Sequence, residues 1–597
     1  MTQQKPQIDL IVHATHEAGF KLGGIGAVLQ GLLSARNYQK NVRRTVLVGP
    51  MNVTDKAEME RLTAPRNRLE IRYSGFHRVD QVGAPLAAAL AKIEKDYNVH
   101  ILYGDRAFDQ ANCKVLLVDA GKINQAKIDL FKSRVWWRYA IPSDRYQQHQ
   151  EYSYYTNAAE PSFLALRALV GDNRNSAKRF IIAHEFMGMP LLFAAELNAP
   201  GEYYSVFYGH EVTTVRSIVE EQPGHDTMFY NVMARAFDEG QTLEKVFGDQ
   251  SGFYKHALIG AAPKCDAIFA VGDRVVEEMR FLAPSFAEKH IDLVYNGVPS
   301  YQISLEEKLA SRRKLQQYAA NLGLFPEPPD FVFTHVTRMI VSKGLWRDIR
   351  VLENLDNALA AEGKTAVLYM LSTIIPAGRS ANDVFRMEEE YGWPVVHRKG
   401  APDLVSHEIP FYRAVAAFNR AARATQILFV NQFGWSRDRC GNRMPADMEF
   451  ADIRQGSDLE FGQSIYEPFG IAQVEPLSFG ALCVVSDVCG CLGFVQRAAP
   501  PDQRNVIIAD YTSLPSGMAA GGYHAALGIG QSERDAVEAI SARRVAAEIM
   551  DRLPRTPEAI SEMIQAGYRI SQKMSWEVVV TDYLLPGLRR LLILSDL

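Results

Sequence analysis

"YEPFGIAQVE", Tyr466 to Glu475, carries two glutamates with seven residues between them, and a break in regular structure separates the two. Glu467 is followed at once by Pro468, Phe469 and Gly470, whereas Glu475 lies in an apolar pattern that runs to Gly480. The spacing predicts a carboxylate on a loop, a helix start, then a second carboxylate one or two turns into that helix. Ile471, Val474 and Leu477 would face the core. Taken alone, this is a loop carboxylate and an exposed helix residue. Its meaning depends on what stands elsewhere in the chain.

Short β-branched runs recur along the chain, separated by helix-compatible sequence. The first half has "IDLIVHAT", "TVLVGP", "FIIAHE", "YSVFYGH", "AIFAVG" and "DLVYNG"; the second has "FVFTHV", "AVLYML", "QILFVN" and "ALCVVS". Continuous apolar runs of this kind indicate parallel strands covered on both faces, so the expected fold class is α/β. "PSYQISLEEKLASRRKLQQYAANLGLFPEPPD", a charged helix and a Pro-rich stretch, works as a boundary. The reading is two doubly wound, Rossmann-like domains at 1–298 and 331–570, a linker at 299–330 and a helical end at 571–597. In such folds ligands bind outside the carboxyl ends of strands, and two facing domains would make a cleft. Residues 51–150 do not parse into this pattern.

The totals narrow the function. A chain of 597 residues exceeds one core, and 47% hydrophobic with 22% charged residues is an ordinary globular balance. Lys plus Arg (65) nearly matches Asp plus Glu (69), so no general field draws nucleic acid or anionic membranes. The start "MTQQKPQIDLIVHAT" has no signal-peptide core, and no apolar run reaches the ~18 residues of a membrane helix. Cytoplasm is the default expectation. Six cysteines make no disulfide framework, and "CGC" (Cys489, Cys491) lacks the spacing of a zinc site, so no metal is expected.

Two further stretches suggest phosphate. "IVHATHEAGFKLGGIGAVLQGLL" reads as a strand, a loop with Lys21, Leu22, Gly23 and Gly24, and an amphipathic helix from about Ile25. Paired glycines at a helix entry let a ligand reach free amides, and Lys21 adds charge, although many strand–helix turns use glycine for geometry alone. The spacing is neither a P-loop nor G-x-G-x-x-G, which argues against a kinase or an NAD enzyme. "FVFTHVTRMIVSKGLW" places Arg338 and Lys343 on one strand-end loop, where a planar fork and a mobile cation can converge on a diphosphate.

"KLGGI", "HEFMG", "FYGHE", "YNGV", "TRMIVSKG" and "SIYEPFGIAQVEPLSFG" occur in the order found in retaining glycosyltransferases of the GT-B fold. The chain most resembles glycogen synthase, above all its animal and fungal type, through "MEFADIRQGSDLEFGQSIYEPFG", "VCGCLGFVQ" and "HDTMFYN...SGFYKHALIGAAPKCDAIFAVGD". The likeness covers most of 8–298 and 331–495 and thins over 51–130 and 500–570.

The resemblance implies two Rossmann-like domains, a C-terminal helix around Trp576 crossing back to the first domain, and transfer without a bound metal. Arg338 and Lys343 would then stabilise the charge on the departing diphosphate, with amides of Gly23, Gly24 and the turn Phe469, Gly470 and Ile471. Glu467 would hold the donor sugar's hydroxyls, and Glu475 the ribose. Family members usually carry a small residue where Pro476 stands, so the aim of Glu475 is open. His210 matches the histidine placed beside the anomeric carbon. His184 either lines the acceptor side or caps the next helix. The sequence offers no obvious carboxylate nucleophile beside His210, and the resemblance implies retention by front-face transfer, in which the leaving phosphate takes the acceptor's proton.

The leading expectation is therefore transfer of glucose from UDP- or ADP-glucose to the non-reducing end of an α-1,4-glucan, without cofactor. A second reading keeps the donor and changes the acceptor to a small sugar, a polyol phosphate or a capsule precursor. A third is a non-catalytic glucan-binding scaffold. A pyridoxal-phosphate phosphorylase shares the fold, but no matching lysine motif is present. Donor base, acceptor and any homo-oligomer stay open.

Overall fold

The computed structural model describes residues 7–109, 111–172, 178–372, 381–398, 400, 403–405, 408–431, 434–518 and 521–595. The chain divides into two compact units.

The first unit comprises Met1–Val215, Gln241–Gly297 and Trp576–Leu597. Its strands are β1 (Leu10–Ala14), β2 (Thr45–Pro50), β3 (Leu69–Ser74), β4 (Val79–Asp80), β5 (His100–Ala107), β6 (Asn112–Asp119), β7 (Arg179–His184), β8 (Tyr204–Gly209), β9 (Ala267–Ala270) and β10 (Ile291–Leu293). They form one ten-stranded sheet in the order β10-β9-β8-β7-β1-β2-β6-β5-β3-β4. All six apolar runs of the first half supply strands, and these pair in parallel. The sheet is not wholly parallel, however. Residues 51–150 add β6, parallel to β2, and then β5, β3 and β4 as an antiparallel extension. Ala107 to Asn112 is too short for the crossover that a parallel β5–β6 pair would need.

The C-terminal segment belongs to this unit. The helix Pro557–Lys573 stops before it, and a new one starts at Trp576–Val578, continues as the π-helix Val579–Leu584 and ends as Leu585–Ser595. The expected single helix from 571 is thus interrupted. Pro586 lies just after the π-turn, where the relaxed ladder accommodates its missing N–H. The indole of Trp576 lies against Gly31 and Gly297, where a Cβ would stand 2.0 and 2.4 Å from its ring atoms. Glu577 accepts the amides of Arg36 and Asn37.

The second unit comprises Arg216–Gly240 and Val298–Ser575. Its strands are β11 (Phe331–Thr337), β12 (Ala366–Ser372), β13 (Thr425–Val430), β14 (Leu459–Gly462), β15 (Leu482–Ser486) and β16 (Val506–Ala509), all parallel in the order β13-β12-β11-β14-β15-β16. The apolar runs cover four of these. β14 escapes because Glu460 interrupts it; that side chain is buried and accepts from Arg454 Nη1 (3.1 Å), Thr334 Oγ1 (2.5 Å) and the Val336 amide (3.1 Å). The helix Leu305–Asn321, inside the stretch read as a linker, is integral to the unit: Lys308 donates to the Ser457 carbonyl and Arg312 pairs with Asp458.

Residues 216–240 join this unit although they lie among the strands of the first. Buried Asp226, on the helix His225–Asp238, receives Nη2 of Arg347 at 2.6 Å. Arg347 also donates to Glu538 (2.8 Å) and lies 3.6 Å from the Tyr511 ring centroid. Burial works against its charge, but Asp226 and Glu538 outweigh that and raise its pKa. Among the described residues no helix is long and apolar enough to cross a membrane.

Candidate active site

In the second unit β11 and β14 are neighbours, so the loops at their carboxyl ends lie side by side. The Ser342 carbonyl, in the turn Val341–Lys343 after β11, accepts the amides of Ile465 (2.8 Å) and Tyr466 (3.2 Å) from the loop after β14. This ties "TRMIVSKG" to "SIYEPFG". Lys343 Nζ consequently donates to the Glu467 carboxylate, with both side chains mostly buried. Gln473 Nε2 reaches the same Glu467 oxygen at 3.3 Å. Arg338 leaves the same loop as Lys343 but is exposed and has no side-chain partner among the described residues. Lys343 and Glu467 are therefore brought together, and Arg338 stands as an uncommitted cation.

The turn Phe469, Gly470, Ile471 departs from expectation. Gly470 has φ +85°, and a Cβ there would stand 2.9 Å from Glu467 Cγ, so this left-handed position requires glycine. The helix it opens is only Ile471–Val474, too short for an appreciable dipole. The Phe469 carbonyl is taken by the Cys491 amide and the Cys489 thiol, both at 3.0 Å. Glu475 is not one or two turns into a helix. It begins a 3₁₀ turn, Glu475–Phe479, with Pro476 in its first turn, where the missing N–H costs nothing. Its Oε2 is held by Arg454 Nε and Nη2, at 3.0 and 2.8 Å. Burial opposes the charge of Arg454, but Glu460 and Glu475 beside it raise its pKa. Glu475 is thus an anchored carboxylate, about a third exposed.

In the first unit the Gly-Gly loop is not the open cradle its sequence suggests. The buried carboxylate of Glu17 accepts the amides of Leu22 (2.5 Å) and Gly23 (2.6 Å), so the Gly23 N–H is committed internally. Gly24 opens the helix Gly24–Ser34, and a Cβ there would meet nothing within 4 Å. Lys21 is exposed and donates to Gln30.

His210 follows β8, His184 ends β7 and His13 lies in β1; β1, β7 and β8 are consecutive in the sheet. His184 Nδ1 lies 2.8 Å from His210 Nε2, and its Nε2 lies 2.8 Å from His13 Nδ1. His184 therefore does not cap the helix Glu185–Asn198 with its side chain. Glu185, buried at φ +62°, accepts the amides of His210 and Glu211 and so fixes the backbone there. A non-glycine residue in that conformation is strained, and such strain concentrates at functional sites. Burial pushes His13 and His210 down to about 3 and takes His184 well below 6.5, so all three rings are neutral near pH 7.

No family model matches the chain, and no curated protein matches it. Solved structures do. The catalytic domain of starch synthase IV from Arabidopsis thaliana, bound to ADP and acarbose, matches over 98% of this chain and 99% of its own, at 12% identity and a TM-score of 0.52. An α,α-trehalose-phosphate synthase (UDP-forming) from Burkholderia xenovorans, in complex with glucose-6-phosphate, matches over 97% of this chain and 100% of its own, at 10% identity and a TM-score of 0.50. The fold is GT-B. In each unit, taken by itself, charged or polar groups stand at the carboxyl ends of parallel strands.

Besides Arg454 and Glu185, four further residues of this GT-B chain escaped the sequence reading. Glu17 looks like an ordinary loop residue. Gln473 looks like a helix surface residue, yet it donates to Ser464 Oγ (2.8 Å) and Glu467. Arg216 lies 5.4 Å from the Tyr466 ring centroid, beside Glu467 in sequence, but is 250 residues from it along the chain. Only His13, a polar residue inside an all-buried strand, left a signal.

Proposed function

We propose that this protein is a retaining glycosyltransferase that moves glucose from UDP- or ADP-glucose to the non-reducing end of an α-1,4-glucan. The observation that carries the reading is the Lys343–Glu467 pair, tied together through Ser342 in a chain of GT-B fold. Lys343 and Arg338 meet the diphosphate, whose charge grows as the bond from C1 to the phosphate oxygen breaks. Glu467 holds the sugar's hydroxyls, with Gln473 and Lys343 fixing its orientation. Glu475, steadied by Arg454, meets the ribose. His210, neutral, orients the sugar and is no proton carrier. The acceptor hydroxyl bonds to C1 on the face the phosphate leaves, and its proton passes to the departing phosphate oxygen.

The glucan acceptor draws support from the starch synthase neighbour that binds acarbose. The trehalose-phosphate synthase neighbour, in complex with glucose-6-phosphate, favours a second reading with a small phosphorylated sugar as acceptor. The test is release of UDP or ADP from a panel of nucleotide sugars, alone, with glycogen and with glucose-6-phosphate. Glycogen-stimulated turnover of one glucose donor supports the first reading, and stimulation by the phosphorylated sugar the second. No turnover of any nucleotide sugar overturns both.

A further inference from the structure

We infer that Tyr38, His13 and His184 form a hydrogen-bonded wire that fixes which nitrogen of His210 carries the proton, and so what that ring offers a bound sugar. The wire stands on geometry alone; its bearing on the sugar rests on the glycosyltransferase reading.

The contacts run without a gap. Thr45 Oγ1 lies 3.1 Å from Tyr38 OH, which lies 3.0 Å from His13 Nε2. His13 Nδ1 lies 2.8 Å from His184 Nε2, and His184 Nδ1 lies 2.8 Å from His210 Nε2. A neutral imidazole has one N–H and one lone pair. Each contact between two rings needs one donor and one acceptor, and His184 spends both nitrogens inside the wire. Fixing one ring therefore fixes the other two, and the wire has only two self-consistent senses. His13, His184 and Tyr38 are all buried, so a contact of two donors or two acceptors could not be relieved by water.

Tyr38 selects the sense. A phenol is a stronger proton donor than a neutral imidazole N–H or a threonine hydroxyl, and an imidazole lone pair is a better acceptor than a hydroxyl oxygen. The strongest donor thus meets the strongest acceptor when Tyr38 donates to His13 Nε2 and receives the Thr45 hydroxyl. His13 then donates from Nδ1 to His184, and His184 donates from Nδ1 to His210. His210 accepts at Nε2 and holds its own proton on Nδ1, an atom with no partner among the described residues. That N–H is aimed by a backbone that Glu185 already fixes through two amides. His210 thus presents a hydrogen-bond donor, suited to a sugar hydroxyl oxygen. Tyr38, His13 and His184 are positioning residues that act through it.

The test is nitrogen NMR of the full chain labelled with 15N-histidine, the His210 ring being assigned by loss of its signals in His210→Gln. The expected wild-type pattern is a protonated Nδ1 and a bare Nε2. In Tyr38→Phe, which removes one hydroxyl, the pattern should move toward the other tautomer or an average of the two, with circular dichroism unchanged. The same variant should lower kcat about tenfold while donor KM changes little. Thr45→Val keeps the Tyr38–His13 contact and should leave the His210 signals in place. An unchanged His210 pattern in Tyr38→Phe overturns the wire. A moved pattern in a protein that turns over no nucleotide sugar keeps the wire and removes the glycosyltransferase reading.

Discussion

Arg338, Lys343 and Arg454 show how differently three cations near one site are spent. Arg338 is exposed and uncommitted, so Arg338→Ala should leave thermal stability within about 0.5 kcal/mol. Its kcat/KM for the nucleotide sugar should nevertheless fall by about 10²-fold. Unchanged kinetics at limiting and saturating donor would remove its assigned role. Arg454 is the reverse case. Buried between Glu460 and Glu475, it cannot be lost cheaply: Arg454→Met should cost about 3–5 kcal/mol in urea unfolding. A loss below about 1 kcal/mol, the scale of an exposed pair, would contradict its structural role. Glu467→Ala should abolish transfer while circular dichroism stays native, because the residue lies on a loop outside every helix and strand; near-normal turnover would sink the assignment. The motif made Arg338, Lys343 and Glu467 visible. It could not show that Lys343 is paired with Glu467, since the two are brought together by adjacency of β11 and β14, and β14 itself was hidden by Glu460.

Among elements, the helix His225–Asp238 is the one whose place the sequence misassigns. It lies between strands of the first unit, and nothing in "HDTMFYNVMARAFD" announces a different partner. What holds it in the second unit is charge satisfaction: Arg347, on the helix Leu345–Ala361, is completely buried and needs Asp226 as well as Glu538. Asn231 adds a hydrogen bond to the Thr512 carbonyl at 2.8 Å. Asp226→Ala leaves a buried guanidinium short of one carboxylate and should destabilise the second unit by about 3–5 kcal/mol. Hydrogen exchange should then rise first in residues 225–238. Uniform protection there would show that apolar packing, not the ion pair, seats the helix. The short helix Ile471–Val474 carries the opposite lesson. Its apolar period was read correctly as helical, but Pro476 splits the run into a single turn and a 3₁₀ turn, which periodicity alone does not resolve.

For the whole molecule, buried neutral histidines make stability depend on pH. The folded-state pKa values of His13 and His210, about 3, and of His184 lie below the ordinary 6.5. The unfolded chain therefore binds protons more tightly, and stability that is complete above about pH 6.5 is lost as pH falls from there toward 3. Asp487, pushed up from 3.8 to about 6 by burial, opposes this with a single proton between those two values. Among the described residues burial likewise lowers His16, His225 and His256 and raises Glu58 and Asp226, and six imidazoles outweigh three carboxyls. The urea midpoint should fall as pH is lowered from 7 to 5, and His210→Gln should make the decline shallower. A flat midpoint over that range would mean that the rings are hydrated or already charged.

The α/β class, most of the parallel strands, and the loops that carry Lys343, Glu467 and His210 are legible in the residues alone. These are local properties, written in apolar runs and in residues that break them. The folded chain was needed to see the antiparallel extension of residues 51–150, the place of 216–240 in the second unit, the internal use of the Gly23 amide by Glu17, and the alignment of His13, His184 and His210. Each of these depends on which strands become neighbours and on which buried charge or polar atom must be satisfied. Such partners stand tens to hundreds of residues apart, where no local pattern records them.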